Sequence, residues 1–219
     1  MSIRTRLARL PSIGAASAVG ALLIGSLVAT AAPASAVPVT LPISGTTTVA
    51  KQNATLEIPE GAKLTGDFDF GPPISVVGDL SIPTIDAHIR LLGIPGLGDT
   101  TSTVKIVQTR NAAATVGNDG IVVVDVAFRL EVPRVSSDLL PFLNIVRSGC
   151  RTGEVTTTLR STEPFSLTEP ANLVGEFTIP GFQGCGFKVG PTSGRDFLLT
   201  QLLSGSGNQM SLKAGPIQF

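Results

Sequence analysis

Apolar and polar residues alternate with period two along most of this chain. Val122, Val124, Val126, Phe128, Leu130 and Val132 point one way, with Val123, Asp125, Ala127, Arg129 and Glu131 between them. Successive side chains of an extended chain leave on opposite sides, so this is a long strand with one buried and one wet face. The same alternation runs through Leu64–Phe70, Ile85–Leu91, Val155–Arg160 and Ala171–Ile179. Shorter candidates are Val39–Ile43, Thr47–Ala50, Ala54–Ile58, Ile74–Val77, Thr103–Thr109 and Met210–Lys213. Half-wet alternation predicts antiparallel pairing, because parallel sheets are normally covered on both faces. Asn118-Asp119-Gly120 predicts a hairpin turn joining Thr103–Thr109 to Ile121–Val132, with Asn111–Gly117 lengthening the connection. Prolines stand at strand ends, at Pro59, Pro72-Pro73, Pro83, Pro133, Pro164 and Pro180.

Two segments leave this pattern. Ser137–Val146 has apolar residues at helical spacing, with Ser137 or Asp138 as cap and Pro141 in the first turn, where its missing N–H matters little. Thr192–Leu203 is the second predicted helix: Ser193 and Asp196 resemble a capping box, and Gly205 and Gly207 end it. The expectation is an all-β fold, an antiparallel β-sandwich or barrel of about ten strands with two short helices and one disulfide. Val77-Gly78-Asp79-Leu80-Ser81-Ile82-Pro83 is echoed by Val174-Gly175-Glu176-Phe177-Thr178-Ile179-Pro180, and more loosely by Leu64-Thr65-Gly66-Asp67-Phe68. The echo reads either as a duplication or as a strand grammar used repeatedly.

The N-terminus changes the arithmetic. Arg4, Arg6 and Arg9 precede an apolar run from Ile13 to Ala32 and then Ala34-Ser35-Ala36, the small-x-small ending a signal peptidase accepts. Residues 1–36 therefore read as a signal peptide and residues 37–219 as one secreted β-rich domain. The leader takes three arginines with it. The remaining 183 residues carry 13 basic and 16 acidic side chains, a formal charge of −3. That balance, without a basic run, argues against nucleic acid as a partner. The chain has ten Phe but no Trp or Tyr, which removes the usual base-stacking platforms and aromatic membrane belts. No transmembrane segment is expected after signal cleavage. The two cysteines, in an exported chain, read as one bond, Cys150–Cys185.

Further residues match a known pattern. Gly149-Cys150-Arg151-Thr152 is followed by Gly175-Glu176-Phe177-Thr178-Ile179-Pro180-Gly181-Phe182-Gln183-Gly184-Cys185-Gly186. A Leu-rich stretch, Phe197–Leu203, and the turn Ser204-Gly205-Ser206-Gly207-Asn208 come next. In these features the C-terminal third resembles a group of secreted, two-cysteine, β-rich actinobacterial proteins of uncharacterised function. The resemblance implies an exported β-protein and carries over no catalytic or binding residue.

Candidate chemistry is sparse. His88, the single histidine, shares a strand face with Asp86 and Arg90, but no Gly-x-Ser-x-Gly elbow accompanies it. Asp67 and Asp69 share another face and suit a two-carboxylate hydrolase, with Phe as the only aromatic to hold a sugar. With Glu57, Glu60, Asp79 and Asp86 they form oxygen donors for calcium, yet no Asp-x-Asp-x-Asp-Gly loop is present. No cofactor and no metal is expected. Leu91, Leu92, Ile94 and Leu97 make an apolar loop, either a lip that contacts lipid or a partner, or a turn packed under the sheet. Phe68, Phe70, Phe128 and Phe177 would line the interior whether it is filled or hollow.

The functional expectation is a non-catalytic protein of the cell envelope or medium, acting by binding or as a surface component. The alternative is a carrier of an apolar ligand such as an envelope lipid in a β-enclosed cavity. A carboxylate-dependent hydrolase is the weaker one. N-terminal sequencing of the exported protein should read Val37-Pro38-Val39; retention of Met1 or Ser2 would exclude cleavage after Ala36.

Overall fold

The computed structural model describes residues 36–89, 100–139, 141–186 and 194–219. Residues 1–35 of the leader and the apolar loop of Leu91, Leu92, Ile94 and Leu97 lie outside the described residues, as does Ser193. The strands are β1 (Val37–Val49), β2 (Ala54–Glu57), β3 (Lys63–Asp69), β4 (Ser75–Ser81), β5 (Ile85–Ile89), β6 (Thr100–Val116), β7 (Ile121–Ser137), β8 (Arg151–Thr152), β9 (Val155–Pro164), β10 (Ala171–Ile179), β11 (Phe182–Gln183) and β12 (Gly205–Ala214). A 3₁₀ turn (Ala50–Gln52) links β1 to β2, and a helix α1 (Gly194–Leu203) precedes β12.

All strands belong to one antiparallel sheet. Its pairings return to their start: β1 to β3, β3 to β4, β4 to β6, β6 to β7, β7 to β9, β9 to β10, β10 to β12 and β12 to β1. Eight strands thus form a closed circuit. Beyond it the sheet continues as two flaps. The C-terminal end of β1 pairs with β2 on one side and β12 on the other. The N-terminal end of β6 pairs with β5, and the C-terminal part of β7 holds β8, which in turn holds β11.

Alternation determines which face looks inward. Along β9, Val155, Thr157, Leu159 and Ser161 are buried while Thr156, Thr158, Arg160 and Thr162 are exposed. On β7, Val122, Val124, Val126, Phe128 and Val132 are buried in the expected phase. Val39, Ile43, Leu64, Phe68, Val76, Leu173 and Leu212 complete the inner row. Phe70 departs from expectation: it is 51% exposed and lies against the outer side of Phe68, 4.5 Å between ring centroids. Phe165 stacks on Phe68 instead, at 6.2 Å.

The twelve strands exceed the expected ten or so. Val39–Ile43 and Thr47–Ala50 merge into β1, whereas β8 and β11 are two residues each, too short to show a period. The β6–β7 connection is shorter than predicted. Asn111–Val116 is strand, and a tight turn closes with the Gly120 N–H donating to the Gly117 carbonyl at 2.9 Å. Register shifts at Thr103/Lys105, Gln108/Arg110 and Arg110/Ala113 slip the phase of the alternation, which hides this strand from a periodicity reading.

Of the two predicted helices, the second forms as α1. Its Asp196 accepts from the backbone N–H groups of Gly184 (3.3 Å) and Cys185 (2.6 Å). The first does not form. β7 runs on to Ser137, and Val135 is buried, bringing its strand into register with Ser102. The Asn144 side chain then accepts from the Val135 and Val146 N–H groups and donates to the Pro133 carbonyl, and the Ile145 N–H donates to the Val135 carbonyl. Two of these bonds take the Ile145 and Val146 N–H groups, which a helix over Ser137–Val146 would use for its own i→i−4 bonds.

The echoed glycines have a steric explanation. Gly66 and Gly78 face each other across β3 and β4. A Cβ on Gly66 would stand 2.2 Å from the Val77 carbonyl oxygen, and one on Gly78 would stand 2.4 Å from that of Thr65. Gly175 meets the Leu159 side chain at 2.7 Å. Each stands where neighbouring backbone or a core side chain takes the space of a side chain.

The Ser204–Asn208 turn is a structural clamp. Asn208 is 1% exposed. Its amide donates to the carbonyls of Phe177 (3.1 Å) and Gly205 (2.7 Å), and its oxygen accepts from the Ala50 N–H at 3.1 Å. One side chain thus ties the end of β1 to β10 and β12. Asn208→Leu should lower unfolding free energy by about 3 kcal/mol, because three backbone groups lose their partner; urea denaturation within 0.5 kcal/mol of the parent (roughly the size of a neutral surface change) would contradict this.

Cys150 and Cys185 are bonded and fully buried. The bond joins the β7–β8 connection to the segment before α1. Replacing both by alanine should cost about 3–4 kcal/mol by loop-closure entropy. Under non-reducing conditions the melting temperature should fall by about 10 °C; an unchanged melting curve would show that the bond adds nothing.

Candidate functional site

The interior holds two chambers at successive levels along the same strands. The first lies inside the closed circuit, has a volume of about 80 Å³, and is lined by Ile43, Leu64, Phe68, Val124, Val126, Leu159, Leu173 and Leu212 among others. The second is about 70 Å³ and is lined by Val49, Leu56, Ile85, Ala87, Val104, Ile106, Phe128, Phe177 and Met210 among others. It lies between the two flaps, beneath Leu203 of α1. Consecutive inward positions of one strand serve both: Val126 the first and Phe128 the second on β7, Leu212 and then Met210 on β12. Phe128 and Phe177 meet edge to face at 6.0 Å where one level passes to the next. Gly175, between Leu173 and Phe177, leaves the space that Leu159 fills.

The second chamber shares part of its wall with a surface cleft. Among the described residues, β2 pairs with β1 alone and β5 with β6 alone. Their other edges border a cleft of about 440 Å³ lined by Ala54, Thr55, Leu56, Glu57, Pro59, Thr84, Ile85, Asp86 and His88. Ala54, Leu56, Ile85 and His88 line both cleft and chamber. Alternation again sorts the chemistry. On β5, Ile85 and Ala87 point in and are buried, while Asp86 and His88 are exposed. The cleft therefore has a polar mouth and borders an apolar chamber.

At that mouth Asp86 accepts from the Thr103 hydroxyl at 2.9 Å, and His88 Nδ1 lies 3.4 Å from the Thr101 hydroxyl. Both residues thus lean on β6 threonines rather than on each other. The hydroxyl beside His88 Nδ1 is that of Thr101, on the neighbouring strand β6. Asp67 and Asp69 occupy the outward face of β3, away from both chambers and the cleft, and Asp69 accepts from the Gly71 N–H at 2.8 Å. Glu57 lies at the cleft and Glu60 is exposed beyond β2. Among the described residues, no three His, Cys, Asp or Glu side chains are grouped to hold a metal ion. Among the same residues, no helix is long and apolar enough to cross a membrane.

Periodicity predicts that Ile85, Ala87, Phe128 and Phe177 point inward. It does not mark Ala54 and Leu56 as walls shared by chamber and cleft. Their position depends on β2 and β5 remaining unpaired with each other, which no local pattern encodes. Comparison of the chain with protein-family models, curated proteins and solved structures finds no match, so the functional reading rests on this geometry.

Proposed function

We propose that this is a non-catalytic, exported binding protein whose β-shell closes as a small barrel and takes the apolar part of a ligand through the β2–β5 cleft. The carrying observation is the adjacency of an apolar chamber and a polar cleft, with Leu56, Ile85 and His88 lining both. The signal-like leader and the buried disulfide support action outside the cytoplasm, in the envelope or the medium. The proposal includes membership of the secreted two-cysteine actinobacterial group.

Size narrows the ligand. Pockets for drug-sized molecules run to roughly 300–1,000 Å³, and these chambers are about 70 and 80 Å³. Each suits a segment of alkyl chain rather than a whole lipid. The remainder of the ligand, including its polar head, would sit in the cleft beside Asp86 and His88. Such a protein carries or presents the ligand and performs no bond chemistry on it.

The test uses the mature protein and straight-chain fatty acids of six to twelve carbons, titrated by calorimetry. Affinity should rise about fourfold per methylene, the value expected for about 0.8 kcal/mol per buried CH₂, and then level off when the chamber is full. Ala87→Trp, which fills the mouth of the chamber, should abolish binding; Leu56→Ala, which widens it, should move the plateau to longer chains. No binding at any length by the folded parent protein would exclude the proposal.

A further inference from the structure

The segment that fails to form the first predicted helix has another use. Between β7 and β8 the chain exposes three large apolar side chains close together: Leu139 at 65%, Phe142 at 80% and Leu143 at 49%. A flexible loop with these residues would fold them back against the protein. This one is held open. The three hydrogen bonds of Asn144 fasten its base to Pro133, Val135 and Val146, the Leu139 N–H donates to the Ser137 hydroxyl, and the Arg134 guanidinium donates to the Pro141 carbonyl. Val146 is buried as an anchor, and the Arg147 N–H donates to the carbonyl of Cys185, a half of the disulfide. The apolar side chains are thus presented, at the tip of a braced projection.

The described charges near the tip are mostly basic. Arg134, Arg147 and Arg151 are exposed near its base; the acids beside them are Asp138 in the segment and Glu131, which stands opposite Arg151 and is paired with Arg129. This basic collar stands on a domain whose formal charge is −3. A projecting apolar tip with a cationic collar matches the layering of an anionic lipid surface, with hydrocarbon below and phosphate at the level of the arginines. A protein partner would need a preformed socket for this tip, whereas a bilayer yields around it.

From this we infer that Leu139, Phe142 and Leu143 form a membrane-docking tip, with Arg134, Arg147 and Arg151 engaging anionic headgroups. The inference goes beyond ligand binding and does not depend on it, since the tip residues line neither chamber. It does place the second chamber at the same end of the sheet as the docked tip. Both are built on the C-terminal part of β7 and the N-terminal end of β6.

The experiment is co-sedimentation of the mature protein with vesicles of pure phosphatidylcholine and of phosphatidylcholine with 40% phosphatidylglycerol, a proportion about that of a strongly anionic leaflet. Binding to the anionic vesicles should exceed binding to the neutral ones at least tenfold and weaken with salt. Phe142→Asp should reduce it at least tenfold with an unchanged melting curve, since Phe142 is almost wholly exposed and its loss disturbs no packing. Leu139→Asp provides the same test at a second position. Arg151→Gln should lower binding several-fold on anionic vesicles only. Two results would overturn the inference: parent-level sedimentation by Phe142→Asp, or a concentration-dependent dimer, by light scattering, that Phe142→Asp abolishes while vesicle binding is absent.

Discussion

Closing the sheet on itself is the constraint that the rest of this molecule obeys. Each strand of the circuit has a paired strand on both sides, so none of the eight is an edge strand. Every inward position then faces other inward positions. That explains why Val39, Leu64, Phe68, Val124, Leu159 and Leu173 are buried while the threonines between them on β9 are wet. It also explains the glycines at Gly66, Gly78 and Gly175, where a curved sheet brings backbone too close for a side chain.

The functional reading arises where this closure stops. β6 and β7 are 17 residues each and outrun the circuit. Their extra length pairs with β5 and β8, the far end of β1 pairs with β2, and the two flaps meet without a hydrogen-bonded seam. Asn208 and the Cys150–Cys185 bond brace the flaps from behind. A cleft borders the interior there, and the alternation of β5 exposes Asp86 and His88 and buries Ile85 and Ala87. The braced tip of Leu139, Phe142 and Leu143 belongs to the same region, because β7 ends there.

Much of the fold was legible in the residues. The phase of β9 and β10 was correct, and that of β7 up to Val126, since the alternation of a half-wet strand is written locally; Ala127, expected on the wet face, is buried. Legibility failed where a non-local contact outweighed a local pattern. The bulges of β6 shift its phase, and only its partners show where they fall. Leu139, Phe142 and Leu143 have helical spacing, yet the side chain of Asn144 and the carbonyl of Val135 claim the backbone. Phe70 continues an inward row past the point where β3 ends, and it emerges on the outside.

The sequence by itself determined an antiparallel β-protein, the inward face of β9, β10 and much of β7, and the pairing of its only two cysteines. These follow from period two and from counting, both properties of the chain alone. Tertiary structure decided that eight strands pair in a circuit and that β2 and β5 do not pair with each other. It also decided that Leu139, Phe142 and Leu143, after β7, are exposed. Each of those outcomes depends on which distant backbone groups find one another, and that is settled only when the whole chain has folded.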